Sequence, residues 1–561
     1  MKLRRRGQSS HSQFELNASS VTAWANKLPR ANLAESSKQL YKALDELSSL
    51  DCSFRQRLET LEALRPPIHL ILQGLQPRYL NASIVLPEKT AAVVRLCNRF
   101  NNFLADNYRL ATEDILSHSW TSRFRQSLAL AVHRELTERS VLLLRSYLLY
   151  QIEPSNTWEQ LHRCYQIGSK HKLNAIRVDD PCHGSCTVEQ AYLRPMLFVG
   201  AHPYQMSQQA QLTLHTALNQ LCSKARIQTS DPRKCCFLFN PLGNQPPIYQ
   251  ELCDDTEGFL GIDTSDLIEL LSEQVRRGKN DNSKLPPQLC MNLLDAWSSI
   301  SDRFEERHAE TRNLDLTVGL SSTHFFVAGE QPLEAFNHTP SYDNGDEKEH
   351  SPAAKGSKSR PQKSSLTTNP VEEIDYSGSQ QQHKKTKANV YRHFPVQTVN
   401  VSRRGYYIAW PATESTQLRN GEVLGLREND APCWSVGCVR WIKKHSEEEL
   451  HVGIEILSPA AESYVARLSD HEQPYRALLL GAESTLGTPS RLLLPNISVS
   501  EGSELELTQP AGSFRLQLKQ QLSSTRDFSV YEYDASAKEN SDKPSQEDST
   551  NEEFSELWES L

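Results

Sequence analysis

The sequence predicts an α+β protein: an all-α helical N-terminal region, then a small antiparallel β-barrel, with a polar insertion inside the barrel and an acidic tail behind it. Three observations carry this reading. Apolar residues recur with a period of 3.6 up to about residue 300 and with a period of 2 beyond about residue 393, which separates amphipathic helices from half-buried strands. Residues 338–390 hold almost no large aliphatic side chains; they cannot bury enough apolar area to offset chain entropy and are expected to be disordered. At 561 residues the chain exceeds what one core organises, domains of roughly 100–200 residues being usual.

Residues 1–20 are polar and are expected to be loose. Over 21–300 the elements are helical. Residues 33–50 set Leu33, Leu40, Tyr41, Leu44 and Leu47 on one face with Lys and Glu opposite, and Pro66-Pro67 is expected to end a helical stretch. Similar patterns fill 90–105, 124–150, 158–171, 189–198 and 207–224, and, after a strand-like run at 235–239, 263–275 and 287–299. A tetratricopeptide-like Trp158-x2-Leu161-x3-Tyr165 occurs once only, which favours an α-helical bundle or solenoid-like array over a named repeat. Residues 313–320 alternate as a strand within a 301–337 segment. Past the insertion, five strands are expected at 396–401, 406–410, 421–427, 433–442 and 450–457, a helix at 460–468, and further β elements within 471–534. Residues 535–561 form the tail.

Composition bounds the function. Apolar residues are 38% and mean hydropathy is -0.57. No apolar run approaches the roughly 18–20 residues that cross a bilayer. The basic start Met1-Lys2-Leu3-Arg4-Arg5-Arg6 has no apolar stretch behind it, so a secretory signal is not expected and a cytoplasmic protein is. The net charge of -8 is concentrated in residues 534–561, with nine acids against two lysines; a general nucleic-acid binder would instead carry a broad basic surface. Twelve scattered cysteines do not make a disulfide framework.

The residues that carry chemistry lie at the junction of two barrel strands. Asn400-Val401-Ser402-Arg403-Arg404-Gly405 reads as an ordinary hairpin turn, since Asn, Ser and Gly favour turns. The same set suits an anionic nucleotide: an amide for a purine edge, a hydroxyl for a phosphate, a glycine for close approach. Upstream, Arg303 and Arg307 form an Arg-x3-Arg pair just before the first strand. It is either a solvated helix end or a pair of guanidinium forks suited to phosphate and to stacking on purines.

This order of elements resembles a PilZ domain, the bacterial cyclic-di-GMP receptor barrel. Arg-x3-Arg precedes a strand, Asn-x-Ser-x-x-Gly follows, and then come Gly437-Cys-Val-Arg-Trp-Ile442 and Val452-Gly-Ile-Glu-Ile-Leu457. The long insertion departs from the compact family pattern. Ala201-His-Pro-Tyr-Gln205, Leu28-Pro-Arg-Ala-Asn32 and residues 235–249 are similar to FimW-type receptors, which are associated with type IV pilus motility. The resemblance implies a cyclic-di-GMP ligand with no cofactor and no metal, Arg303 and Arg307 on phosphates and guanine, Asn400 on a guanine edge, Ser402 on a phosphate, and Gly405 permitting the turn; Arg403 and Arg404 lie between motif positions. It also implies a non-enzymatic effector with a protein partner docked on the helical region, no nucleic acid, and recruitment to a pole or membrane machinery. A degenerate barrel in a nucleotide-independent adaptor is the alternative.

Other constellations are incomplete. Cys182-His183-Gly184-Ser185-Cys186 lacks a second Cys/His pair at finger spacing. Phosphate loops, nucleophile elbows and the signatures of cyclic-di-GMP enzymes are missing. Lys384-Lys385-Thr386-Lys387 is a solvated linker end or a basic flap over ligand phosphates, and Phe554, Leu557, Trp558 and Leu561 in the tail are spaced as one face of a short helix.

Overall fold

The computed structural model describes residues 10–29, 32–82, 84–118, 121–277, 285–298, 308–337, 391–402, 404–411, 418–429, 431–446, 448–469, 473–482 and 489–535. The expected insertion at 338–390 and the tail at 536–561 lie outside them. The chain divides into two compact units, residues 1–320 with 394–460 and 525–528, and residues 321–393 with 461–524 and 529–561.

The first unit opens with helices α1 (Ala18–Ala25), α2 (Leu33–Ser49), α3 (Phe54–Leu75), α4 (Glu88–Ser117), α5 (Arg125–Leu148), α6 (Thr157–Lys170), α7 (Val188–Gly200), α8 (Gln208–Leu221), α9 (Ser265–Arg277) and α10 (Pro287–Ser298). Caps set several boundaries. The Ser53 hydroxyl accepts from the Gln56 N–H, and the Gln56 side chain returns to the Ser53 backbone. α5 is buried on nearly every side, and its charged residues are paired, as burial requires. Arg65 on α3 bonds Glu138 (2.7 Å) and Asp180 (2.7 Å), and Arg134 bonds Glu62 (2.9 Å) and Asp180 (3.2 Å).

Two expectations fail here. Residues 10–20 are packed, not loose: His11 stacks on buried Phe14 at 3.8 Å and bonds the Ala43 carbonyl, and α1 begins at Ala18. α3 runs straight through Pro66 and Pro67, because Leu64, Arg65, Ile68, His69 and Leu72 are all buried on its inner side and that burial outweighs the two missing N–H donors.

Short strands interrupt the helices. β1 (Arg177–Val178) and β2 (Cys186–Thr187) clasp the loop 179–185. β3 (Arg226–Gln228), β4 (Phe237–Phe239), β5 (Ile248–Tyr249) and β6 (Leu260–Asp263) form a sheet in the order β3-β6-β4-β5. Of these, only the run containing β4 is legible as a strand from the sequence.

The same unit contains a closed antiparallel barrel of β7 (Asn313–Val318), β8 (His393–Ser402), β9 (Gly405–Pro411), β10 (Val423–Glu428), β11 (Ser435–Lys444) and β12 (Glu449–Ser458), ordered β10-β11-β12-β9-β8-β7. Leu316, Ile408, Trp410, Leu424, Val439, Ile442 and Val452 fill it, and Tyr150 from the end of α5 belongs to the same core. Further ties join this barrel to the helices: Lys444 N–H donates to the Tyr150 carbonyl (2.7 Å), and the Asn420 amide donates to the Tyr204 carbonyl (2.6 Å).

In the second unit, the segment read as a helix at 460–468 is strand β13 (Ala461–Leu468). Its residues Ser463, Tyr464, Val465 and Ala466 are buried consecutively, so the alternation that marks a half-buried strand is absent. With β14 (Tyr475–Leu480), β15 (Arg491–Pro495), β16 (Glu504–Gln509), β17 (Gly512–Ser524) and β18 (Phe528–Ala535) it closes a second barrel, β13-β14-β15-β18-β17-β16. The first barrel thus ends at Ser458, not near 470. A helix, α11 (Leu320–Val327), follows β7; its His324 bonds the Tyr464 carbonyl at 2.9 Å.

Candidate ligand-binding cleft

The Asn-x-Ser-x-x-Gly motif is a hairpin. Ser402 pairs with Gly405, so β8 and β9 are joined by the two residues 403–404. One step back, β8 carries a bulge: Thr398 opposes Ile408 and Asn400 opposes Tyr407, leaving Val399 as the extra residue. A bulge re-aims the side chains that follow it. Here it sets Asn400 and Ser402 on the outer face of the barrel, opposite Tyr407 and Gly405. The turn is tied to β12, since the Ile456 N–H donates to the Arg404 carbonyl at 2.9 Å. Gly405 is required by close approach: a Cβ there would lie 2.1 Å from the Ile454 carbonyl oxygen, so the glycine answers a neighbouring strand and not the turn itself.

The segment that follows the arginine pair meets this hairpin directly. His308 and Val401 exchange two backbone hydrogen bonds, each 3.0 Å. Four residues on, Arg312 N–H donates to the Thr398 hydroxyl (2.7 Å), while its guanidinium grips Glu310 (2.8 Å) and Glu428 (2.7 Å). Tyr406 donates to Glu428 at 3.0 Å; burial, reinforced by that carboxylate, pushes its hydroxyl up to about 12.

The outer face extends across β12 and β11. A second bulge lies between Val439, which opposes Ile454, and Trp441, which opposes Gly453, so Arg440 is the extra residue. The Trp441 indole lies against Gly453, where a Cβ would be 2.0 Å from Nε1. Its ring is 5.3 Å from that of Tyr407, whose hydroxyl bonds His451 Nδ1. Arg440 is ion-paired to Glu455.

Opposite this face stand residues of the helical region: Ala201, His202, Gln205 and Met206 between α7 and α8, and Asn292 and Ala296 on α10. His202 holds a left-handed backbone conformation, φ 55°, which is costly for a residue with a Cβ. The Tyr249 hydroxyl donates to the Ala296 carbonyl (2.6 Å), so the 2.8 Å contact between His202 Nε2 and that hydroxyl is an N–H donation from histidine. Together the two sides enclose a cleft of about 490 Å³, within the size range of small-ligand sites. Aromatic faces, an amide, a hydroxyl and two guanidinium groups suit an anionic ligand that also has flat aromatic parts.

Of the residues singled out in the sequence, Asn400, Ser402, Arg404 and Gly405 line this one cleft; Arg303, Arg307 and Arg403 lie outside the described residues. Sequence reasoning missed Tyr407, Arg440 and Trp441, and quoted 201–205 without giving His202 or Gln205 a place in the site.

Comparison with known proteins divides the chain in three. Residues 19–233 match the family model of the N-terminal domain of the cyclic-di-GMP receptor FimW, residues 236–463 that of its middle PilZ domain, and residues 464–536 that of the FimW C-terminal beta-barrel domain. The Pseudomonas aeruginosa protein "Cyclic-di-GMP receptor FimW" is 30% identical over 96% of this chain and 95% of its own length. No solved structure gives a significant match. The first barrel is therefore a PilZ domain. More narrowly, the chain belongs to the FimW family of cyclic-di-GMP receptors.

Proposed function

We propose that the protein is a cyclic-di-GMP-binding effector that makes and breaks no bond, and that its ligand occupies the cleft between the outer face of the PilZ barrel and the helical region. In this reading Asn400 reads a guanine edge, Ser402 and Arg404 meet phosphate oxygens, and Trp441 and Tyr407 offer stacking surfaces. Arg303 and Arg307 complete the grip. The observation that supports this most is the His308–Val401 bridge: Arg307 is one peptide bond from a residue paired with the middle of Asn400-Val401-Ser402, and consecutive Cα atoms are only about 3.8 Å apart.

A micromolar complex needs about -8 kcal/mol. Hydrogen bonds to charged groups contribute roughly 1.5–3 kcal/mol each, so four or five of them suffice after ordering costs. A ligand bridging barrel and helices shifts their arrangement only by its differential affinity for the alternatives. The helical region is the surface proposed to pass that shift to a protein partner, with motility or surface attachment as the output; no helix among the described residues is long and apolar enough to cross a membrane.

Isothermal titration with cyclic-di-GMP tests the proposal. The wild type is expected to bind at micromolar concentration or below. Arg307→Ala and Ser402→Ala should each weaken binding about tenfold or more, and Arg307→Lys should not restore a two-pronged contact. Absence of heat at tens of micromolar wild-type protein would instead favour the nucleotide-independent adaptor.

A further inference from the structure

We propose that His69, His183 and Glu138 form a divalent transition-metal site of the zinc type inside the helical region. The three residues come from different elements. His69 is on α3, Glu138 on α5, and His183 on the loop clasped by β1 and β2. His69 Nε2 lies 2.8 Å from Glu138 Oε1 and 3.4 Å from His183 Nε2, and the three ligand atoms all fall within 4.8 Å of one another. In a tetrahedral zinc site with bonds of about 2.0–2.1 Å, neighbouring ligand atoms stand about 3.3 Å apart. Two imidazole nitrogens and a carboxylate oxygen, with one position left for water, are an established donor set for that ion.

Proton counting strengthens the case. A carboxylate only accepts, so the short contact to Glu138 requires the proton on His69 Nε2. That proton points at Glu138, and His183 Nε2 then faces the same N–H at 3.4 Å, too long and already committed for a good hydrogen bond. A metal ion between the three atoms would replace the proton and satisfy both rings.

The surroundings orient the ligands as outer-shell groups do. Asn101 donates to Glu138 Oε2 at 2.7 Å and Arg65 donates to Oε1 at 2.7 Å. Asp180, itself gripped by Arg65, accepts the N–H groups of Cys182 (2.9 Å) and His183 (3.1 Å), which fixes the loop presenting the imidazole. His183 is only partly buried, which leaves a route for the ion. A second group, His445, Glu449 and His451, is exposed or half-buried, and its imidazoles lie flat on one another at 3.9 Å, an arrangement that does not aim their nitrogens at one point. The Cys182-to-Cys186 stretch is incomplete as a sequence motif because its partners sit 114 and 45 positions upstream; the fold supplies them.

The test uses the full chain expressed in zinc-supplemented medium, dialysed, and assayed for metal by mass spectrometry. About one equivalent of zinc is expected, and cobalt added to the stripped protein should give the visible bands of a four-coordinate ion. His183→Ala should lose both and should bind zinc more weakly by more than the roughly 10–100-fold that loss of an outer-shell partner costs. Zinc should raise the melting temperature of the wild type and leave that of the variant unchanged. Equal zinc uptake by wild type and His183→Ala, or no uptake by either, overturns the proposal and leaves the cluster a buried hydrogen-bonded hub.

Discussion

Gly453 makes the outer face of the barrel flat enough for an indole to lie on it, since a Cβ would stand 2.0 Å from Trp441 Nε1. Gly453→Ala should therefore displace Trp441, cost about 1–3 kcal/mol of stability as overpacking does, and weaken cyclic-di-GMP binding about tenfold. Tryptophan fluorescence and titration check this together; unchanged emission and affinity would remove Trp441 from the proposed stacking surface. His133 carries a different consequence. It is fully buried, and Arg134, which can only donate, faces its Nδ1 at 3.3 Å. The ring's own proton therefore sits on Nε2, toward Cys186 Sγ. Burial first, and Arg134 second, lower its pKa to about 3. The folded state thus binds this proton more weakly than the unfolded state, whose value is near 6.5. Stability is present above about pH 6.5 and is lost as pH falls from there toward 3, by up to roughly 1.4 kcal/mol per pH unit. Urea unfolding of wild type and His133→Gln at pH 7 and pH 5 should show the steeper acid loss in the wild type; parallel losses would contradict it.

At the scale of elements, the barrel strands were the most legible part. Alternation located β8, β9 and β12 to within a few residues, because each has one face in the core and one less covered; β10 and β11, in which Val423–Leu426 and Val436–Val439 are buried consecutively, were legible from the turn residues between the strands. The bulge at Arg440 was not legible. A strict period of 2 from core residue Val439 would point Trp441 inward and Ile442 outward, whereas the extra residue reverses both. That is why Trp441 was quoted as part of a pattern and given no role. β13 was misread for the opposite reason, both of its faces being covered. In the helices, Pro66 and Pro67 point to a stop because each costs a helix about 3 kcal/mol; α3 continues through them because burial against distant parts of the chain, which no local rule includes, offsets that cost. The Asn-Ser-Gly corner was legible because its residues are adjacent; the helical wall of the cleft was not, because His202 and Asn292 reach it only through tertiary packing.

For the whole molecule, the insertion at 338–390 interrupts the chain between two barrel strands that are neighbours in space. β7 and β8 are held by their own contacts, including the Thr398 N–H to the Arg312 carbonyl at 3.0 Å, and loop length enters closure entropy only logarithmically. Replacing residues 340–388 with a short Gly-Ser linker should leave thermal unfolding and cyclic-di-GMP affinity within about threefold of wild type. A loss beyond tenfold would assign Lys384, Lys385 and Lys387 to the ligand phosphates.

Tyr150 has a consequence for how the PilZ module can be handled. The residue stands at the end of α5 with a left-handed backbone, φ 53°, yet it packs in the barrel's core cluster and its hydroxyl donates to the Met206 carbonyl at 3.0 Å. The barrel's core is completed by a side chain from outside the barrel. Cut out as a free-standing sensor, the barrel residues 308–458 would expose the core that Tyr150 covers and would lose one wall of the proposed ligand cleft, so a sensor built from this chain needs helices and barrel together.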